Sequence, residues 1–224
     1  MYAISKTIKT VFIGSFIIAL WSGCDTEQKV PAYIHIPAAT VTTGGGQGAP
    51  SSKIIDAWVY VDDLLIGGFR LPATVPVIKE GTGKVEILAG VAENGNFSTP
   101  TVYPFYSFYT RTLDFKPTKI DTLRPIFTYD VAKNPKFSVN DFEGLDNDFT
   151  VITGSGGASA TIAKVVENGN GVGKVTLTSP APAVTELSRT TATRIQPNPT
   201  KQVWAEVDFK GSNLFSVGII GYDA

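Results

Sequence analysis

The sequence has 224 residues, of which 43% are hydrophobic and 11% aromatic, and its formal net charge is −1. This composition supplies enough apolar material for a buried core in one or two domains. The near-neutral charge and the lack of a basic stripe argue against a surface that neutralises phosphates, so we expect no nucleic-acid partner.

The first 23 residues have the pattern of an export signal. Lys6 and Lys9 precede an uncharged stretch at residues 10–23, which is shorter than the roughly 20 apolar residues of a membrane-spanning helix. Small Ser22 and Gly23 stand directly before Cys24, the only cysteine, so that no disulfide or thiolate zinc site can form. This junction resembles the lipobox of bacterial lipoproteins, although it has Trp where the pattern usually has an aliphatic residue. The resemblance implies that residues 1–23 are cleaved and that a lipid on Cys24 anchors the protein to a membrane.

The residues that follow Cys24, CDTEQKVPAYIHIP, are similar to the N-termini of Bacteroidota-type outer-membrane lipoproteins. The similarity implies the outer membrane, with display at the cell surface, and leaves open which leaflet holds the lipid. We assign residues 24–54 to a lipidated N-terminus and a flexible linker, because TTGGGQGAPSS at residues 42–52 is rich in Gly, Ser and Pro. The strand-like AYIHIP lies within this stretch.

The rest of the chain indicates an all-β fold. Short segments rich in Val, Ile, Thr, Tyr and Phe alternate with Gly, Pro, Asn and Asp clusters, and a helical period is never sustained. We predict two tandem β-sandwich domains, at residues 55–130 and 138–224, joined by a linker at residues 131–137.

The first domain opens with a hairpin in AWVYVDDLLIGGF, where two strands flank a tight turn at Asp62 and Asp63. Glycines at 81 and 83 predict a second turn before a strand at residues 84–89. The arrangement resembles PEGA-type domains, which are small immunoglobulin-like sandwiches, with Asp63 in place of the usual turn glycine. The matching residues are Val59, Val61, Asp62, Ile66, Gly67, Pro72, Pro76, Gly83, Val85 and Ile87. The resemblance implies a non-catalytic domain exposed in the cell envelope.

An aromatic run, VYPFYSFYTR at residues 102–111, predicts a strand with rings on both faces. Its aromatic residues are Tyr103, Phe105, Tyr106, Phe108 and Tyr109. Alternation would place one set in the core and let the other pack on a neighbouring domain. The alternative is a platform for sugars or peptides, because Tyr offers a flat apolar face and a hydroxyl.

The second domain contains two Val-rich segments around ENGNGVGK, which predict a hairpin. Further on, KQVWAEVDFK at residues 201–210 predicts a strand with Val203, Ala205, Val207 and Phe209 on its apolar face, and a partner strand follows at residues 214–220. The pattern is similar to jelly-roll modules that bind carbohydrate. Five or six strands are predicted where a jelly roll has eight, so either the sandwich is smaller or the chain continues beyond residue 224.

Catalytic and metal-binding signals are sparse. The only histidine, His35, lies in the strand-like N-terminal segment, and a Ser-His-Asp triad would require it. A glycosidase needs only two carboxylates, but acids on an exposed strand face are most simply explained by solvation. The available carboxylates are Asp141, Glu143, Asp146, Asp148, Glu206 and Asp208. We expect neither an enzyme nor a cofactor. The cluster NDFEGLDND offers oxygen ligands suited to calcium, but ordinary loop chemistry also explains it. Its carboxylates are Asp141, Glu143, Asp146 and Asp148.

Two functions remain after these exclusions. The first is a lipid-anchored envelope protein that presents β-sandwich domains for binding or adhesion to a glycan or a protein. The second is a structural envelope lipoprotein that acts as a subunit or scaffold of a larger surface assembly. A groove lined by aromatic residues would favour the first function, whereas a flat apolar patch or an open strand edge would favour the second.

Overall fold

The structure, a computed structural model, describes residues 29–51, 53–144, 149–152, 159–178, 186–189 and 202–211. Its strands are β1 Ala32–Ile36, β2 Thr40–Val41, β3 Asp56–Val61, β4 Leu64–Arg70, β5 Ala73–Val77, β6 Gly81–Ala92, β7 Pro100–Val102, β8 Tyr109–Phe115, β9 Ile120–Thr122, β10 Ile126–Phe127, β11 Phe149–Ile152, β12 Ser159–Glu167, β13 Asn170–Thr178 and β14 Glu186–Arg189. Short 3₁₀ turns occur at Glu93–Gly95 and Val131–Lys133, and these ranges contain no α-helix. The all-β prediction is confirmed.

Two layers of strands enclose one hydrophobic core. The first layer is a five-stranded sheet in the order β4-β3-β6-β7, in which β8 pairs with the same edge of β6 as β7 does. The second layer consists of β5-β1-β9 and the pair β2-β10. Ile34 and Val75 from the second layer meet Val59 and Ile87 from the first, and all four are fully buried. This part of the chain is therefore a β-sandwich.

The N-terminal boundary of the sandwich differs from the prediction, which assigned residues 24–54 to an anchor and linker. β1 packs in the core, because its alternate residues Ala32, Ile34 and Ile36 are apolar and all point inward. β1 and β2 run parallel to β9 and β10. The linker-like composition is confined to the loop after β2.

The hairpin prediction is confirmed. β3 and β4 pair across a two-residue turn in which Asp62 and Asp63 have φ values of 49° and 65°. The turn predicted around Gly83 is wrong, because residues 81–83 belong to β6 and pair with β8. Gly83 serves packing here: a Cβ on it would lie 2.9 Å from the ring of Phe115, a buried core residue.

The C-terminal region forms two separate two-stranded pairs, β11-β14 and β12-β13. The predicted hairpin is confirmed, with β12 and β13 joined at Asn168 and Gly169. Residues 202–210 were predicted as a strand but form none. Their supposed apolar face is exposed, since Val203 and Val207 are each 48% exposed and Phe209 is 71% exposed. The predicted partner strand at residues 214–220 lies outside the described residues.

Candidate functional site

The aromatic segment, defined here as residues 103–108, forms an irregular connection between β7 and β8 rather than the predicted strand. Val102 pairs with Gly90 of β6 and Tyr109 pairs with Ile87 of the same strand. Residues 103–108 therefore stand opposite only residues 88 and 89. Six residues cannot follow two in a ladder, so the segment bulges away and interrupts the pairing along β6.

Burial divides the five aromatic residues into different roles. Tyr103 and Tyr106 belong to the core, with 6% and 2% of their surfaces exposed. Phe105 and Tyr109 are half-buried and pack against that core, whereas Phe108 is 54% exposed. A ligand outside the protein can reach Phe108 directly, while the two buried rings provide its support.

The buried rings form a cluster of edge-on and tilted contacts. The Tyr103 ring lies 4.4 Å from that of Tyr106 and 5.7 Å from that of Phe105, measured between centroids. Tyr106 stacks on Phe127 at 6.1 Å, and Tyr129 meets Phe137 at 4.7 Å. Such offset and edge-to-face pairs add about 0.5–1.5 kcal/mol each beyond the burial of their area. The segment that carries Phe108 therefore has a rigid base.

Lys133 fastens the aromatic segment from outside. Its ammonium donates hydrogen bonds to the carbonyls of Pro104, at 2.8 Å, and Tyr106, at 3.2 Å. The same nitrogen lies 3.7 Å from Asp130 Oδ2 and 5.5 Å from the centroid of the Phe108 ring. Lys133 belongs to the 3₁₀ turn in residues 131–137, which were predicted to be a linker. The sequence analysis missed this lysine, although the Asp130 cap and the following Asn-Pro mark a short turn.

A cavity of about 240 Å³ lies where the aromatic segment leaves β6. The residues that line it include Leu88 of β6, the buried Tyr103 and Tyr106, the exposed Phe108, and Lys133. The cavity results directly from the interrupted pairing, because no strand covers residues 88 and 89 on that side. We name this space the β6 groove.

The C-terminal residues 202–211, here called the docked segment, contact the aromatic cluster through side chains. The Trp204 ring meets that of Tyr103 edge-on at 5.2 Å. The Glu206 carboxylate accepts hydrogen bonds from the hydroxyls of Tyr103 and Tyr129, the latter at 3.0 Å. Trp204 and Glu206 lie on the face that the alternation had predicted to be polar. Because the alternate residues Val203, Val207 and Phe209 predicted the opposite face to be the buried one, the contacts of Trp204 and Glu206 were missed.

The pKa values of the Tyr103 and Tyr129 phenols are both raised. Burial raises the pKa of Tyr103 well above its usual value, and the hydrogen bond to Glu206 raises it further. Burial and the nearby Glu206 charge raise the pKa of Tyr129 in the same direction. Both hydroxyls therefore stay protonated at neutral pH and remain donors to the carboxylate.

Of the four carboxylates in the predicted calcium cluster, the structure describes Asp141 and Glu143. Asp141 Oδ1 accepts a hydrogen bond from the Glu143 backbone at 3.0 Å, and Glu143 Oε1 accepts one from the Gly171 backbone at 2.7 Å. The first contact closes a turn, and the second attaches Glu143 to the β12-β13 hairpin. Asp146 and Asp148 lie outside the described residues. Among the residues that are described, no three His, Cys, Asp or Glu side chains are grouped to hold a metal ion.

The structure places His35 but does not describe Cys24. His35 lies on the outer side of β1, where Nδ1 is 3.0 Å from the hydroxyl of Thr74 on β5. Cys24 and the export signal lie outside the described residues. Within the described ranges, no helix has the length and apolar character needed to span a membrane.

Comparison with known proteins identified no matching family model, no similar curated protein and no similar solved structure.

Proposed function

We propose that the protein is a lipid-anchored, non-catalytic component of the cell envelope whose sandwich binds a glycan or a protein at the β6 groove. The observation that supports binding is the exposed Phe108 ring, which lines the cavity. The observation that supports anchoring is the lipobox-like sequence before Cys24. The outer membrane, with display at the cell surface, is supported by the similarity of the residues after Cys24 to Bacteroidota-type outer-membrane lipoproteins.

The rigidity of the groove favours binding. Phe108 is attached to a segment held by Lys133 and by backbone bonds from Ser107 to Thr128 and from Asp130 to Phe105, each 2.8 Å. A site that is ordered before binding loses less conformational entropy when the ligand arrives. The cavity is smaller than the roughly 300–1,000 Å³ of pockets that enclose a drug-sized ligand. It suits a single sugar ring or a single side chain of a larger partner.

Metabolic labelling tests the anchor. The full chain and a Cys24→Ala variant are expressed in a diderm bacterium that is fed labelled palmitate, and intact cells are treated with protease. We expect label on the parent chain only, and its loss from the cell surface after proteolysis. Equal labelling of both chains, or of neither, would remove Cys24 as the anchor.

Adhesion of the same cells tests the groove. Cells that display the parent chain, Phe108→Ala or Ile126→Ala are applied to immobilised polysaccharides and peptides. Ile126 is a matched control, since it is 59% exposed but belongs to the other layer. We expect Phe108→Ala alone to lose adhesion. Adhesion that survives in Phe108→Ala cells at the parental level would exclude the groove as the binding site.

A second candidate function, a scaffold subunit, is favoured by the edge of the five-stranded sheet. β4 is the last strand in its sheet, and it begins with Leu64 and Leu65, which are 69% and 46% exposed. An apolar edge strand can pair with another chain. Crosslinking on intact cells should yield a larger species that Leu64→Lys abolishes if this function is correct. An unchanged monomer band from the parent chain would argue against it.

A further inference from the structure

One row of residues crosses the outer face of the five-stranded sheet and ends at the β6 groove. Trp58 of β3 stands opposite Gly68 of β4 on one side and Leu88 of β6 on the other. Phe108 directly precedes Tyr109, which pairs with Ile87, so Phe108 lies beside Leu88, and both line the groove. We call Gly68, Trp58, Leu88 and Phe108 the outer strip. Trp58 and Leu88 are half-buried and lie outside the core cluster, because their neighbours along the strands point inward.

The Trp58 indole lies flat on the sheet. A Cβ built on Gly68 would be 3.2 Å from Cε2, 3.3 Å from Cδ2 and 3.5 Å from Cζ2 of Trp58. Nearly equal distances to three adjacent ring atoms place that point over the face of the ring rather than at its edge. One face of the indole thus covers the Gly68 backbone, and the opposite face is directed away from the sheet. A side chain at this position would press on the ring and shift it by a few tenths of an ångström.

A parallel row of polar residues runs beside the outer strip. Tyr60 of β3 stands opposite Glu86 of β6, and Glu86 stands opposite Thr110 of β8. Because Glu86 and Leu88 are two residues apart on one strand, their side chains lie on the same face. The row offers a phenol, a carboxylate and a hydroxyl along one side of the aromatic surface.

We propose that the outer strip and the β6 groove together bind a linear, neutral glycan, with sugar rings stacked on Trp58 and Phe108. This inference rests on the proposed function and assigns it a ligand class. Trp58 and Phe108 stand two strands apart, about 10 Å at the usual strand spacing of about 4.8 Å, which is the scale of two linked sugar rings. The C–H groups of a pyranose face contact the negative face of an aromatic ring, and its hydroxyls reach the polar row.

The charges around the strip favour a neutral ligand. Lys84 Nζ lies 2.7 Å from Asp63 and 3.1 Å from Glu86, so its charge is already balanced. Arg70, at the other side of the strip, pairs with Asp56 at 2.9 Å, and Lys133 in the groove pairs with Asp130 at 3.7 Å. An acidic sugar would have to displace one of these carboxylates. A peptide in extended form would instead seek a run of unpaired backbone groups along a strand edge. The pairing of β6 is interrupted only at residues 88 and 89, and the strip itself lies on a sheet face.

Calorimetric titration tests the inference directly. The full chain, solubilised in a detergent without a sugar head group, is titrated with cellohexaose, xylohexaose, laminarihexaose and chitohexaose. We expect at least one of these to bind, and Trp58→Ala and Phe108→Ala each to weaken that binding about tenfold. Ile126→Ala should bind as the parent does. Absence of binding to all four probes, or binding that both aromatic variants retain, would overturn the inference.

Two further variants keep the result interpretable. Trp58→Phe preserves an aromatic surface and should retain most of the affinity, whereas Gly68→Ala leaves Trp58 in place but lifts its ring and should weaken binding. Circular dichroism and thermal unfolding confirm that each variant is folded. Adhesion to peptides that depends on Phe108, with no glycan binding, would refute the glycan assignment and leave the proposed function standing. If adhesion of the parent cells to polysaccharides and to peptides never depends on Phe108, both the glycan assignment and the proposed function are refuted.

Discussion

The sandwich at residues 32–129 and the C-terminal region at residues 138–211 are both built from strands, but they bury them differently. In the sandwich, two layers face each other and alternate residues meet in a common core. Among the described residues of the C-terminal region, β12 and β13 pair only with each other, and Val166 and Val175 are 68% and 47% exposed. Strand pairing alone is marginally stable in water, and a second layer is what makes it independent. The difference between the two regions shows how much packing between layers adds to the stability that strand hydrogen bonds alone provide.

Removal of a core side chain should give the largest difference between the two regions. Ile87 is fully buried on the central strand β6, so Ile87→Ala is expected to lower the free energy of unfolding by about 2–5 kcal/mol, through lost burial and a new cavity. Val166→Ala removes two side-chain carbons where Ile87→Ala removes three, but it does so at an exposed strand position and should cost less than about 0.5 kcal/mol. Urea unfolding of the full chain measures both, and similar losses would contradict the contrast.

Alkaline pH should weaken the contact that joins the two regions. The unfolded chain releases its phenol protons near pH 10, whereas folded Tyr103 and Tyr129 keep theirs. The free energy of unfolding should therefore be unaffected by these groups below about pH 10 and fall above it, by at most about 1.4 kcal/mol per pH unit for each phenol. Unfolding measured across this range should show the slope. The Tyr103→Phe/Tyr129→Phe double variant should flatten it, and an unchanged slope would count against the assignment.

The two hairpin turns should respond to substitution by different amounts, both smaller than the loss expected for Ile87→Ala. Gly169 has a φ of +86°, so Gly169→Ala is expected to cost about 1 kcal/mol in the β12-β13 hairpin. Asp63→Gly relieves a left-handed residue but removes the exposed ion pair with Lys84, and these two effects oppose each other, so the net change should be smaller than that of Gly169→Ala. Amide hydrogen exchange reports each hairpin separately. The expectation would be contradicted if Asp63→Gly accelerated exchange in β3-β4, relative to the parent chain, more than Gly169→Ala accelerated it in β12-β13.

The sequence was most informative where local chemistry decides the structure. The Asp62-Asp63 turn was predicted at its observed position, because two-residue hairpins require residues that accept positive φ. The second turn was predicted only within ENGNGVGK, and the structure places it at Asn168 and Gly169. The alternation in AYIHIP correctly indicated a strand, but a glycine-rich loop after it concealed its membership in the core. Local pattern specifies a strand, whereas its partner depends on residues about 85 positions away, at 120–122.

The candidate site was less accessible to such reasoning. The aromatic run was recognised, but its division into buried Tyr103 and Tyr106 and exposed Phe108 follows from a bulge that no local period encodes. Lys133 and Trp204 were missed because each acts through a partner distant in sequence. Trp58 was assigned to a hairpin strand, and its role as a flat outer surface depends on the glycine at position 68 of the neighbouring strand.

The parallel course of the N-terminal strands beside residues 119–127 has a mechanical consequence. Hydrogen bonds join Tyr33 to Lys119, Leu123 to His35 and Thr42 to Phe127, each at 2.8 Å, along the whole length of the two segments. A pull that holds the chain before β1 and draws on the chain after β10 would act on parallel strands from opposite ends. The segments would have to slide lengthwise, so that these bonds share the load and break together rather than one at a time. The sandwich is therefore arranged to resist tension between its two ends.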